Sequence, residues 1–279
     1  MKVPSRALAT IAILSSAILT ACDSSTPTTP RAAPADQPSR IIFGTVDGNA
    51  HPAVGLLVMD VAGQPAFRCS GTFLSPTVFL TAGHCVGEPG EFSGMRVFTE
   101  SDVEHGNNNY PFAGPNTIEA SSWHAHPLFT EATFILHDVG VVILSAPFNL
   151  PANKYGVLPA VNQLDALHNG ANTTFTTVGY GVQKFNPAQV VELKIRESAQ
   201  VHLTAINTPV VGHILLILSN NADGGGSCFG DSGGPNYLGT SNVIAATTSS
   251  GRSPNCGGDG VVFRLDQQDV INFVSGFLK

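Results

Sequence analysis

The chain has 279 residues, with 13 basic and 20 acidic side chains and a formal net charge of −7. That balance excludes the basic footprint of a nucleic-acid-binding protein. Charged residues make up only 12%, about half the usual ~25%. The 29 glycines and 19 prolines suit many short strands joined by tight turns, and so predict an all-β sandwich or barrel.

Taken in chain order, Lys2 and Arg6 precede an apolar stretch, Ala7–Ala21. It is too short and too rich in Ser and Thr to span a bilayer, so residues 1–21 are predicted to be a signal peptide. Leu19-Thr20-Ala21-Cys22 resembles the bacterial lipobox, in which the cysteine is lipidated and becomes the mature N-terminus. The other reading is an ordinary secretory signal cut after Ala21, leaving a free thiol. Lipidation is favoured because several acyl chains anchor stably. Asp23 would favour inner-membrane retention wherever lipoproteins are sorted by the residue after the cysteine. Residues 22–40, rich in Ser, Thr, Pro and Ala, are predicted to be a flexible tether or propeptide. They end in Ser39-Arg40 and are followed by Ile41-Ile42-Phe43-Gly44.

Three further segments carry chemistry. Leu80-Thr81-Ala82-Gly83-His84-Cys85 sets a histidine beside a cysteine at the end of an apolar run. His137-Asp138-Val139-Gly140-Val141-Val142-Ile143-Leu144 sets an acid at the start of a β-prone one. Gly230-Asp231-Ser232-Gly233-Gly234-Pro235 follows Cys228, which lies four residues before the serine. A serine hydroxyl is a poor nucleophile until a base, an orienting carboxylate and an oxyanion site surround it. Residues 230–234 also fit the Gly-x-Ser-x-Gly elbow of lipases and esterases, which needs a histidine after the serine. The nine histidines end at His213, so the elbow fails on chain order.

In the order His, Asp, Ser, these motifs resemble the three signatures of the chymotrypsin/trypsin family of serine endopeptidases, a likeness covering residues 41–279. The resemblance implies two six-stranded antiparallel β-barrels, N-terminal over about 41–152 and C-terminal over about 153–279, with a short C-terminal helix. The crossover falls near Pro147–Val161, where prolines and glycine interrupt the apolar pattern. The tail Gln267–Leu278 has apolar residues at helical spacing.

The family's mechanism is a known template. Carried over, His84 is the general base, Asp138 its orienting carboxylate and Ser232 the nucleophile, with the amides of Gly230 and Ser232 as oxyanion hole. Cys69 with Cys85, and Cys228 with Cys256, match the family disulfides, leaving Cys22 over. Arg40-Ile41 looks like the family's activation site, where cleavage frees an ammonium to pair with buried Asp231. Phe43 departs from the usual glycine there. Gly226, six residues before the serine, is the pocket base, and Gly251 and Gly260 are its walls. With Phe229 and Ser249 they form the substrate-binding set, and Ser249–Gly251 pairs with substrate backbone by strand addition. An uncharged slot of this kind suits a large apolar or aromatic residue on the acyl side of the cleaved bond. It does not suit Arg40, so a separate activating protease is expected.

The expected partners are therefore protein or peptide substrates, that protease, and a membrane through lipidated Cys22 before activation. The expected product is an exported monomer, released from the cell envelope by the cut after Arg40. No cofactor, metal or nucleic acid is implied. His124-Ala125-His126 has alternate residues on one face but reads better as a family strand segment than as a chelate. The competing reading is a catalytically inactive relative used for binding or adhesion, which His84, Asp138 and Ser232, all present, argue against.

Overall fold

A computed structural model describes residues 44–186, 189–220 and 225–278. Cys22, Arg40 and Ile41 lie outside these residues. The first described strand, β1 (Thr45–Val46), is followed by β2 (Val54–Val61), β3 (Gln64–Phe73), β4 (Val78–Thr81), β5 (Gly94–Phe98), β6 (Thr117–Ala125) and β7 (Gly140–Leu144). Strands β2 to β7 close into an antiparallel barrel in the order β2-β3-β4-β7-β6-β5. The chain then crosses through short 3-10 turns at Ala152–Lys154 and Gln163–Ala166.

Beyond the crossover come β8 (Gly170–Gly179), a small hairpin of β9 (Lys184–Asn186) and β10 (Gln189–Val191), then β11 (Glu197–Ala205) and β12 (Leu215–Asn220). The last strands are β13 (Pro235–Leu238), β14 (Ile244–Gly251) and β15 (Gly258–Arg264). Their sheet runs β11-β12-β15-β14-β13-β8, and β8 pairs back onto β11 to close a second six-stranded barrel. β1 adds to the outside of β11, with Val46 opposite Glu197.

The apolar runs are continuous rather than alternating because both faces of several strands are covered. In β2, Leu57 and Met59 belong to the first barrel's core, while Val54, Leu56 and Val58 belong to a second layer of packing. In β12, Leu216 and Leu218 fill the second barrel, while Leu215 and Ile217 join that same second layer. This shared layer holds the two barrels together. The C-terminal helix, Gln268–Ser275, adds Val270 and Val274 to it, one turn apart on one face. No described helix is long and apolar enough to cross a membrane.

The segment after β1 is fastened by a buried ion pair. Arg196 Nε donates to Asp47 at 2.9 Å, and its other nitrogens donate to the carbonyls of Val54 and Gly48. Burial opposes the charge on Asp47, but the His51 hydrogen bond and charge, followed by Arg196, hold its pKa below the ordinary carboxylate value.

Candidate active site

The first barrel supplies two of the three motif residues. After β4 the chain turns through a single helical turn, α1 (Gly83–Val86), which carries His84. The disulfide Cys69–Cys85 ties this turn to β3. Closing a loop of 16 residues is worth roughly 3 kcal/mol in the chain-entropy model. Asp138 stands just before β7 and is 0% exposed. It accepts the His84 backbone amide at 2.9 Å and the His84 Nδ1–H at 2.9 Å and 3.0 Å through its two oxygens. The paired bonds orient the imidazole and fix the proton on Nδ1, which leaves Nε2 as the acceptor.

A fourth contact completes Asp138. The Ser249 hydroxyl donates to its Oδ2 at 2.6 Å. The sequence suggested Ser249 for the substrate backbone; its side chain here hydrogen-bonds the carboxylate. Burial opposes charge on His84, but the hydrogen bond and charge of Asp138 outweigh it, with Glu131 adding to them. The imidazole pKa is therefore held above its ordinary value. The Phe134 ring packs edge-on against His84 at 6.0 Å.

The second barrel supplies the serine loop. Its carbonyls are pinned from both sides: Ser70 Oγ donates to Gly230 O at 2.9 Å, Ser70 N to Ser232 O at 2.8 Å, and Val182 N to Phe229 O at 2.8 Å. Gly233 sits at φ +76°, and a Cβ there would overlap Thr81 Oγ1, so only glycine lets the loop lie against the first barrel. With the carbonyls turned inward, the amides of Gly230 and Ser232 donate to no acceptor among the described residues. Ser70 was not foreseen; its only sequence signal is adjacency to Cys69.

Asp231 is 1% exposed and accepts Gly181 N at 2.7 Å and Cys228 N at 2.9 Å. Burial pushes its pKa up to about 6, against those two bonds and the charge of Arg68. Cys228 and Cys256 form the second disulfide.

A cavity of about 470 Å³ opens between these parts, lined among others by His84, Phe229, Ser232, Ser249 and Gly251. Sequence reading thus named residues that the fold brings to one cleft. Gly226 and Gly260 lie beside its wall at Ser227 rather than on its surface. A Cβ on Gly260 would come 3.0 Å from Ser227 Oγ, and one on Gly226 would overlap the side-chain amide of Asn220. Asn220 thus fills the space beside Gly226, where the sequence suggested open space. Arg252, at the mouth, faces Asp259 at 3.5 Å.

His124 and His126 diverge in their contacts. The His124 ring stacks on Phe277 at 5.1 Å, and buried His126 stacks on His137 at 4.8 Å. Among the described residues the cluster Cys69, His84 and Cys85 brings potential metal ligands together, but both sulfurs are committed to the disulfide.

A trypsin family model matches residues 44–271. Brachyurin of Leptuca pugilator is 27% identical over 221 residues, covering 77% of this chain and 88% of that protein. Phenoloxidase-activating factor 3 of Holotrichia diomphalia is 27% identical over 205 residues, covering 68% of this chain and 57% of that protein. Trypsin iota of Drosophila melanogaster is 26% identical over 175 residues, covering 60% and 63%. The chain thus spans less than two thirds of the last two proteins. These relatives are from arthropods, whereas the Cys22 motif was read from bacterial lipoproteins. Among solved structures, HL collagenase aligns with a TM-score of 0.65 at 20% identity, covering 85% of this chain and 97% of the other. Human heparin binding protein aligns at 0.58 and 18%, covering 83% and 93%. Both show a shared fold. The chain belongs to the trypsin family of serine endopeptidases.

Proposed function

We propose that this chain hydrolyses peptide bonds through His84, Asp138 and Ser232 by way of an acyl-enzyme, with a large apolar or aromatic residue on the acyl side. The observation that carries this reading is the convergence of an oriented imidazole, Ser232 on the same cavity and two undonated amides beside it. Ser232 Oγ attacks the carbonyl as His84 Nε2 takes its proton. The oxyanion meets the Gly230 and Ser232 amides, and His84 returns the proton to the leaving amine. Each such donor is worth roughly 2.7–4 kcal/mol of barrier. Water then repeats the sequence to free the acid.

Activation by cleavage after Arg40 belongs to the same reading. Val46 pairs with Glu197, which pairs with Gly179 on β8, and Gly179 abuts Asp231. Two strand spacings come to about 10 Å. The four steps from Ile41 to Thr45 reach up to about 13 Å when extended, so an Ile41 ammonium is within reach of the buried carboxylate. Lipidation at Cys22 would hold the precursor at the cell envelope, and the cut would release a monomeric enzyme. Fractionation before and after trypsin treatment tests the release; active enzyme left in the membrane pellet overturns it.

The test of the activity is fluorophosphonate labelling of the form beginning at Ile41. Covalent modification that vanishes in Ser232→Ala is expected. Unlabelled protein, or equal labelling of the variant, contradicts the mechanism and returns the chain to an inactive binding role.

A further inference from the structure

Behind Ser227, which lines the active-site cavity, lies a buried side chain that the serine motif does not reach. Asn220 ends β12, opposite Gly258 on β15, and is 1% exposed. Its Nδ2 donates to the Ser227 carbonyl at 2.7 Å. Because a carbonyl can only accept, this bond fixes which way the amide faces. Asn220 Oδ1 is then left buried with no hydrogen-bond partner among the described residues. It stands where a Cβ on Gly226 would lie. Ser227, the next residue, lines the cavity that holds His84 and Ser232.

A buried acceptor without a donor is costly to leave unpaired. Oδ1 is shielded from bulk water, and its neighbour Ser227 lines the cavity, so the route proposed for a substrate donor is past Ser227 and Gly226. The walls above are largely apolar, with Phe229, Pro254 and the Cys228–Cys256 disulfide around the opening. Gly226 leaves room for Asn220 in the position that a side chain six residues before the serine would otherwise fill.

Resting on the peptidase reading above, we infer that Asn220 determines specificity, closing the pocket base with a neutral acceptor that selects an aromatic side chain tipped by a donor. That side chain is tyrosine in preference to phenylalanine. Sites that hydrogen-bond a substrate hydroxyl discriminate against the analogue lacking it, because their own polar group is then left unpaired. A lysine or arginine would meet at Asn220 a neutral amide rather than a carboxylate.

The test compares kcat/KM for paired peptides differing only in Tyr or Phe on the acyl side, using the Ile41 form. Wild type should prefer Tyr by roughly tenfold, the effect of one neutral hydrogen bond. Asn220→Leu removes the acceptor and should bring the ratio to one or below, mainly by raising KM for Tyr. Asn220→Asp keeps the shape, adds charge and should open activity toward Lys. Fluorophosphonate labelling of Ser232 in each variant separates a folded site from a collapsed one. Labelled variants that keep the wild-type Tyr-to-Phe ratio, and a wild type without Tyr preference, each overturn the inference. Absence of any hydrolysis or labelling in wild type overturns the peptidase reading instead.

Discussion

Asp138 and Asp231 are equally shut away from water, at 0% and 1% exposure, but they are matched by different partners. Asp138 receives the His84 imidazole, the His84 amide and the Ser249 hydroxyl. Asp231 receives two backbone amides, and Arg68, whose charge acts on it, pairs with Glu192. An isolated buried carboxylate is expensive, and dipoles alone offset only part of that cost. On the proposed reading, the contrast separates a site completed inside the fold from a buried acid that an ammonium completes. In the proposed mechanism the first is the carboxylate that orients the base and the second is the activation switch.

The largest effect that breaks the comparison is at Asp138. Asp138→Asn offers His84 an amide that can stabilise the wrong tautomer, and kcat should fall by about 10⁴. A loss under tenfold in steady-state peptide hydrolysis would mean that this carboxylate does not orient the base.

Asp231 should be visible in stability instead. With its pKa raised from 3.8 to about 6, the folded precursor keeps a proton that the unfolded chain loses between about pH 4 and pH 6. Unfolding in that window releases a proton, so stability falls as pH rises through it, by about 3 kcal/mol in all. Urea titrations of the precursor across this range measure the fall. In the Ile41 form an ammonium partner should flatten it, and identical slopes in the two forms would remove Asp231 from the switch.

Ser249→Ala is a smaller probe of the completed site. It removes a donor to a buried carboxylate, worth about 1.5 kcal/mol or roughly tenfold in kcat/KM. Labelling should persist at a reduced rate, and an unchanged rate would make the 2.6 Å contact incidental to catalysis.

The smallest expected effect is a displaced titration. His84 must be neutral to accept a proton, and its pKa is raised despite burial by the bond and charge of Asp138. Activity should therefore appear only as pH rises through a midpoint above the ordinary ~6.5 of imidazole. Glu131→Gln removes a lesser contribution and should lower that midpoint slightly in a kcat/KM profile.

Much of this architecture was legible where chemistry constrains neighbours in sequence. His84, Asp138 and Ser232 each carry a local signature, and the six-stranded barrels followed from the family likeness those signatures gave. The two disulfides emerged from the same likeness and form as expected. Groups that act across the fold left little trace. Ser249 meets Asp138 from 111 positions away and Ser70 meets Gly230 from 160, so no local spacing encodes either contact. Asn220 reads as the polar end of an apolar strand, and only the closure of β12 against β15 brings it behind Gly226. Double-sided burial also hid the strand faces, since Leu56 and Leu57 both lie inside but in different layers.

Active-site titration of matched precursor and Ile41-starting proteins tests the central claim most directly. The Ile41 form should react rapidly at one site per chain, the precursor far more slowly, and Ser232→Ala in neither form. Equal reactivity of precursor and Ile41 form would contradict the switch at Asp231, and reaction that survives Ser232→Ala would contradict the mechanism as a whole.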